Sequence, residues 1–138
     1  MLLYNHIHAH KRNILFAGPT GCGKTEIWRV MSRLYPNIRI IDSTMLTMQG
    51  WSGSFKVRDI FSSMSQEEAE KAIIVFDEFD KFCEPLYGSN GTNYGAAAQN
   101  ELLKLIEGGQ IYFPADKGKP ALELDSSGIS LYSVSFER

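Results

Sequence analysis

Gly18-Pro19-Thr20-Gly21-Cys22-Gly23-Lys24-Thr25 is the stretch whose reading decides the fold. It fits the pattern G-x-x-x-x-G-K-[ST]. An apolar run, Ile14-Leu15-Phe16-Ala17, precedes it, and Glu26-Ile27-Trp28-Arg29-Val30-Met31, of helical character, follows. Strand, glycine-rich turn and helix in that order are the context this pattern needs. Glycines let the backbone curl until successive N–H groups point inward and form an anion-binding nest. The helix N-terminus adds its partial positive charge at the same spot. In such a loop Lys24 reaches the β- and γ-phosphates of a nucleotide, and the Thr25 hydroxyl holds Mg²⁺. Glu26, next in line, joins residues 18–25 in the expected cofactor-binding set.

The chain has 138 residues, enough for one domain with one core and too few for two. Hydrophobic residues at 43% and charged residues at 22% are ordinary globular composition and argue against disorder. A net charge of −2 supplies no basic footprint for nucleic acid. No apolar run approaches the ~20 residues a membrane span requires. The first residues lack the basic, apolar and small-residue succession of a signal peptide. Two cysteines, Cys22 and Cys83, make neither a disulfide framework nor a zinc site. A reducing, cytoplasmic compartment is expected, with no nucleic-acid or membrane partner.

Residues 1–12 read as a short helix, on which His6 and His10 stand one turn apart; a solvated face is the expectation there, not a metal site. Residues 13–17 form the first strand and 25–34 the first helix, which ends before Pro36. A second strand covers 38–41 and a loop 44–54. Apolar residues at Phe55, Val57, Ile60, Phe61 and Met64 predict a helix over 55–64. Ser65-Gln66-Glu67-Glu68 fits a capping box. Residues 72–76 are a continuous apolar run, as in the middle of a parallel sheet. A loop covers 83–95, and a helix 96–107 stops at Gly108-Gly109. Residues 111–113 and 121–124 can pair as a hairpin, 125–128 turn, and 129–136 form the last strand. Strands alternating with helices point to a mainly parallel α/β sheet.

The run Ile73-Ile74-Val75-Phe76 ends in Asp77-Glu78. A carboxylate at the C-terminal end of a strand beside the phosphate loop can hold magnesium through water. A second carboxylate next to it can orient and deprotonate an attacking water. Asp77 is therefore assigned to the metal and Glu78 to the base, while Asp80 reads as a surface acid of the following turn. Lys24 and Glu78 are the expected catalytic residues, Thr25 and Asp77 the metal-binding ones, and a nucleotide with Mg²⁺ the cofactors.

Gly18 to Thr25 followed by Asp77-Glu78-Phe79-Asp80-Lys81 resembles the Walker A and Walker B pair of AAA+ ATPases. Asp42-Ser43-Thr44-Met45-Leu46-Thr47 and Gly50-Trp51-Ser52-Gly53 are similar to the D-A-T-x-L-T and G-Y-V-G segments of ClpX-type protein unfoldases. Asn100-Glu101-Leu102-Leu103-Lys104-Leu105-Ile106-Glu107-Gly108 resembles that family's Q-A-L-L-K-L-I-E-G helix, and Tyr4-Asn5-His6 its Y-N-H. The resemblance implies a P-loop NTPase fold of three α-β-α layers, cut after the fourth core strand. Residues 1–138 would then be a single, partial AAA+ domain without the zinc domain and the small helical subdomain. It implies ATP as the nucleotide, and an ATPase that threads unfolded or tagged proteins through a homo-hexameric pore, for a ClpP-type peptidase.

In that family the G-Y-V-G tip grips the substrate, a role the match gives to Gly50, Trp51, Ser52 and Gly53. By position alone, 83–95 corresponds to a second pore loop, with Tyr87 and Tyr94 as possible substrate contacts. The adenine-contacting V-I-G-Q segment, the arginine finger and the peptidase-docking loop have no counterpart in the chain. Asp116-Lys117-Gly118-Lys119 is shorter than the family's R-K-H loop, and no first-sensor residue is assigned near Ser133 to Ser135. An arginine finger accounts for roughly 10³–10⁵ in turnover, so the chain alone is expected to bind ATP–Mg²⁺ weakly and turn it over poorly. A nucleotide-binding regulatory or scaffold module without turnover is the alternative, ahead of a small-molecule kinase. A GTPase is disfavoured, because no N-K-x-D motif occurs.

Overall fold

The computed structural model describes residues 13–19, 21–47, 55–85, 87–93, 95–116 and 118–136. The phosphate loop joins strand β1 (Asn13–Gly18) to helix α1 (Lys24–Leu34). Strand β2 (Ile38–Asp42) runs directly into helix α2 (Ser43–Thr47), and a 3-10 turn (Val57–Phe61) precedes helix α3 (Gln66–Glu70). Strand β3 (Ile73–Asp77) is followed by helices α4 (Phe79–Cys83) and α5 (Gly95–Glu107). Strands β4 (Gln110–Phe113) and β5 (Leu122–Asp125), a 3-10 turn (Ser126–Gly128) and strand β6 (Ser130–Phe136) complete the order.

Four strands make one sheet in the order β1-β6-β3-β2, and every neighbouring pair is parallel. Chain order and sheet order differ because parallel neighbours need crossover connections rather than tight turns. β3 lies inside the sheet, which is why Ile73, Ile74, Val75 and Phe76 are all buried and its sequence shows no polar alternation. The two faces carry separate apolar clusters. On one, Trp28 and Met31 of α1 pack against Ile38, Val75, Tyr132 and Val134. On the other, the larger cluster joins Ile74, Phe76 and Leu131 of the sheet to Leu46, Phe82, Leu102 and Leu105 of the helices. Helices on both faces of a parallel sheet give the expected three layers.

The hairpin forms as expected, as a separate antiparallel pair with Ile111 opposite Leu124. It is held beside the 3-10 turn by Arg58, whose guanidinium donates to the carbonyls of Pro114 (2.6 Å) and Pro120 (2.5 Å). Ion pairs of Lys119 with Asp59 and of Lys56 with Asp116 close the same contact. The capping box is also present: Ser65 Oγ accepts from the Glu68 N–H at 3.2 Å, and Glu68 Oε2 accepts from the Ser65 N–H at 2.8 Å.

Three local expectations need correction. The loop expected from residue 44 begins instead as helix α2, because the Asp42 carboxylate accepts from the Thr44 N–H (3.0 Å) and hydroxyl (2.6 Å) while Leu46 is drawn fully into the core. The helix expected over 55–64 is only a 3-10 turn of five residues; its chain turns away at Ser63, which has a positive φ of 63°. α4 stands where only a turn is expected, its Phe82 buried. In the segment after it, Tyr87 and Asn93 form an isolated antiparallel bridge.

Candidate functional site

The phosphate loop leaves β1 at Gly18, which is buried, and enters α1 at Gly23. Gly21 and Gly23 have φ of 80° and 88°, a region that side-chain-bearing residues adopt with strain. Those two glycines turn the backbone tightly enough for α1 to start at Lys24. The Lys24 ammonium donates to the carbonyls of Gly18 (2.7 Å) and Pro19 (2.6 Å) and lies 3.5 Å from Cys22 Sγ. It is thereby held at the mouth of the loop.

Thr25, in the first turn of α1, donates its hydroxyl hydrogen to Asp77 Oδ1 at 2.9 Å. The same carboxylate oxygen accepts from the backbone N–H of Glu78 at 3.0 Å. Glu78 itself sits at φ 51°, ψ 41°, the left-handed region that few non-glycine residues occupy. This conformation turns the chain sharply from β3 into α4 and leaves Glu78 beside Asp77 at the C-terminal end of the sheet. Open parallel sheets bind ligands at that end, where strand tips and helix N-termini converge.

Thr25, Glu26, Asp77 and Glu78 line a cleft of about 430 Å³ together with Gly21, Gly23 and Lys24. The loop and the strand-end carboxylates, 52 positions apart at Thr25 and Asp77, are thus brought together. Glu26 is exposed and lies 3.4 Å from Arg29. Pro19 and Cys22 are exposed on the loop. Thr20 and the whole of Gly50, Trp51, Ser52 and Gly53 lie outside the described residues, as do His6, His10 and Tyr94. Tyr87 is exposed.

The cleft also contains groups to which the sequence reading gave no role in the site. Asp80 and Lys81 of α4 and Val134 and Ser135 of β6 line it. Asp80 is half-buried in the cleft wall, not an acid of the outer surface. Its signal in the sequence is only its place two residues after Glu78, which means nothing until α4 is known to exist. Ser135 stands in the stretch where a sensor was expected but no residue assigned. Cys22 and Cys83 are both free thiols. Burial, with the charge of Asp80 second, raises the Cys83 thiol above its ordinary range, so it is protonated at neutral pH.

A hydroxyl and a carboxylate in contact are hard oxygen ligands of the kind Mg²⁺ takes, with phosphates and water completing its shell. Among the described residues, no group of three His, Cys, Asp or Glu could hold a metal ion by protein ligands alone. Thr25 and Asp77 therefore suit a metal that arrives with phosphates rather than a closed structural site. No helix among the described residues is long and apolar enough to cross a membrane.

A parallel α/β sheet carrying a glycine-rich phosphate loop on one strand tip and an Asp-Glu pair on another defines a P-loop domain of the nucleotide-binding class. The model of the AAA family, ATPases associated with various cellular activities, matches residues 14–118. The chain belongs to that family, and membership implies nucleotide binding. Curated relatives include the ATP-dependent Clp protease ATP-binding subunit ClpX 2 of Wolinella succinogenes, 36% identical over 121 residues, covering 80% of this chain and 30% of the relative. The subunit ClpX of Porphyromonas gingivalis is 31% identical over 122 residues, covering 82% of this chain and 29% of the relative. The ClpX of Bacteroides thetaiotaomicron is 32% identical over the same length, with the same coverage. The chain therefore spans about 30% of the length of these curated relatives.

Proposed function

We propose that the chain is the ATP–Mg²⁺-binding core of a ClpX-like protein unfoldase. The observation that carries this reading is the 2.9 Å hydrogen bond from Thr25 to Asp77, which joins the phosphate loop to the strand-end acid. Lys24 exchanges its carbonyl partners for the β- and γ-phosphates when a nucleotide enters. Thr25 and Asp77 would hold Mg²⁺, which would supply charge neutralisation at the phosphates. Glu78, which lines the cleft, orients a water molecule and accepts its proton as the water attacks the γ-phosphorus, whose bond to the bridging oxygen breaks and releases ADP.

Trp51, flanked by Gly50, Ser52 and Gly53, grips an unfolded polypeptide at the pore of a homo-hexamer. The relatives' name, an ATP-binding subunit of a Clp protease, supports a partner peptidase. Among the described residues no arginine lines the cleft, which supports slow turnover by the chain alone. This favours, for the isolated chain, behaviour as a binding module.

Glu78→Gln tests the reading. It should keep ATP–Mg²⁺ binding and remove residual phosphate release, because the amide preserves shape and loses the base. Phosphate release equal to wild type would contradict the role of Glu78.

A further inference from the structure

Lys81 is the second ammonium on the wall of the cleft, and we infer that it is a ligand of the γ-phosphate. The inference rests on the reading of the cleft as an ATP–Mg²⁺ site and adds a residue to it. Among the described lining residues, Glu26, Asp77, Glu78 and Asp80 bring carboxylates, whereas only Lys24 and Lys81 bring cations. A triphosphate adds negative charge to a cleft already rich in carboxylates, so each cation on its wall bears on binding.

The two lysines stand on different walls. Lys24 is engaged by the loop, through the Gly18 and Pro19 carbonyls. Lys81 belongs to α4, where its backbone N–H donates to the Glu78 carbonyl at 3.0 Å. It therefore stands one turn beyond the residue that activates water. In the proposed site a cation one turn from that residue can meet the γ-phosphate from α4, while Lys24 meets the β- and γ-phosphates from the loop.

The present partner of Lys81 is a weak hold. Its ammonium lies 3.8 Å from Glu84, and the two side chains are 47% and 57% exposed. Exposed pairs of this kind contribute little, so the flexible lysine stem can carry the ammonium to a phosphate. A charge-assisted hydrogen bond to a terminal phosphate in a partly enclosed cleft is stronger.

A γ-phosphate ligand distinguishes ATP from ADP, whereas a residue that only supports the fold does not. Calorimetric titration of the 138-residue chain with Mg²⁺–ATP and with Mg²⁺–ADP measures that contrast. Lys81→Ala and Lys81→Gln should weaken ATP binding about tenfold and leave ADP binding unchanged. Lys81→Arg should retain the preference for ATP. Unchanged ATP affinity, or an equal loss for both nucleotides, overturns the assignment. Lys24→Ala in the same series separates the two levels of the argument. Loss of both nucleotides there, with a flat ATP-to-ADP ratio at Lys81, overturns the Lys81 inference alone. Retention of both overturns the phosphate-site reading beneath it.

Discussion

The Thr25 hydroxyl and the Asp77 carboxylate meet at 2.9 Å, linking the first turn of α1 to the last residue of β3. Both groups are half-buried, and the Glu78 N–H fixes the same carboxylate oxygen from the other side. In the proposed site this oxygen pair is the seat of the Mg²⁺, and hard oxygen ligands of this kind suit that cation.

Asp77→Asn keeps an acceptor for Thr25 but removes the negative charge. It should reduce the gain in ATP affinity that Mg²⁺ confers by about 10–100-fold, the range typical of disturbed metal sites. Titration of ATP binding against Mg²⁺ concentration measures it. A Mg²⁺ dependence equal to wild type would remove Asp77 from the metal site.

Gly128 closes the 3-10 turn between β5 and β6, and a Cβ built on it would lie 2.6 Å from the Glu70 carbonyl oxygen. That oxygen is backbone at the end of α3, so it cannot swing aside as a side chain could. Gly128→Ala should cost about 1–3 kcal/mol of folding stability, as overpacking does. Urea unfolding reads the change as a lower midpoint at constant slope. An unchanged midpoint would mean that α3 shifts freely from the turn.

Trp51 belongs to the substrate-gripping part of the proposal. In a subunit extended to the length of its relatives, Trp51→Ala should cut protein unfolding severalfold while basal ATPase persists, since the proposed role of the ring is to grip the polypeptide and not to bind nucleotide. Parallel unfolding and ATPase assays measure the split. Undiminished unfolding would end the pore-loop assignment.

The parts of the fold legible in the sequence are those where one local pattern has one physical outcome. The apolar run at Ile73 to Phe76 has a buried central strand as its natural place, and the glycines at 21 and 23 demand a tight turn into a helix. Ser65 and Glu68 satisfy each other's backbone donors and so mark the start of α3. α2 and α4 were not legible because five residues are too few to show a helical period. Both are held by tertiary burial, of Leu46 and Phe82, that no local signal announces. The apolar spacing over 55–64 was real, since Val57, Ile60 and Phe61 are buried, but a 3-10 turn buries the same residues. The same limit hid part of the cleft. Asp77 and Glu78 follow from the strand that ends at them, whereas Asp80 and Lys81 enter the site only because Glu78 adopts a left-handed conformation and α4 follows.

The central claim is that residues 18–25 bind the phosphates of ATP, and its most direct test is calorimetric titration of Mg²⁺–ATP into wild type and Lys24→Ala. Lys24 is the cation held at the loop mouth by the Gly18 and Pro19 carbonyls, so its removal should abolish measurable binding while leaving the fold intact. Equal affinity in the two proteins would contradict the account.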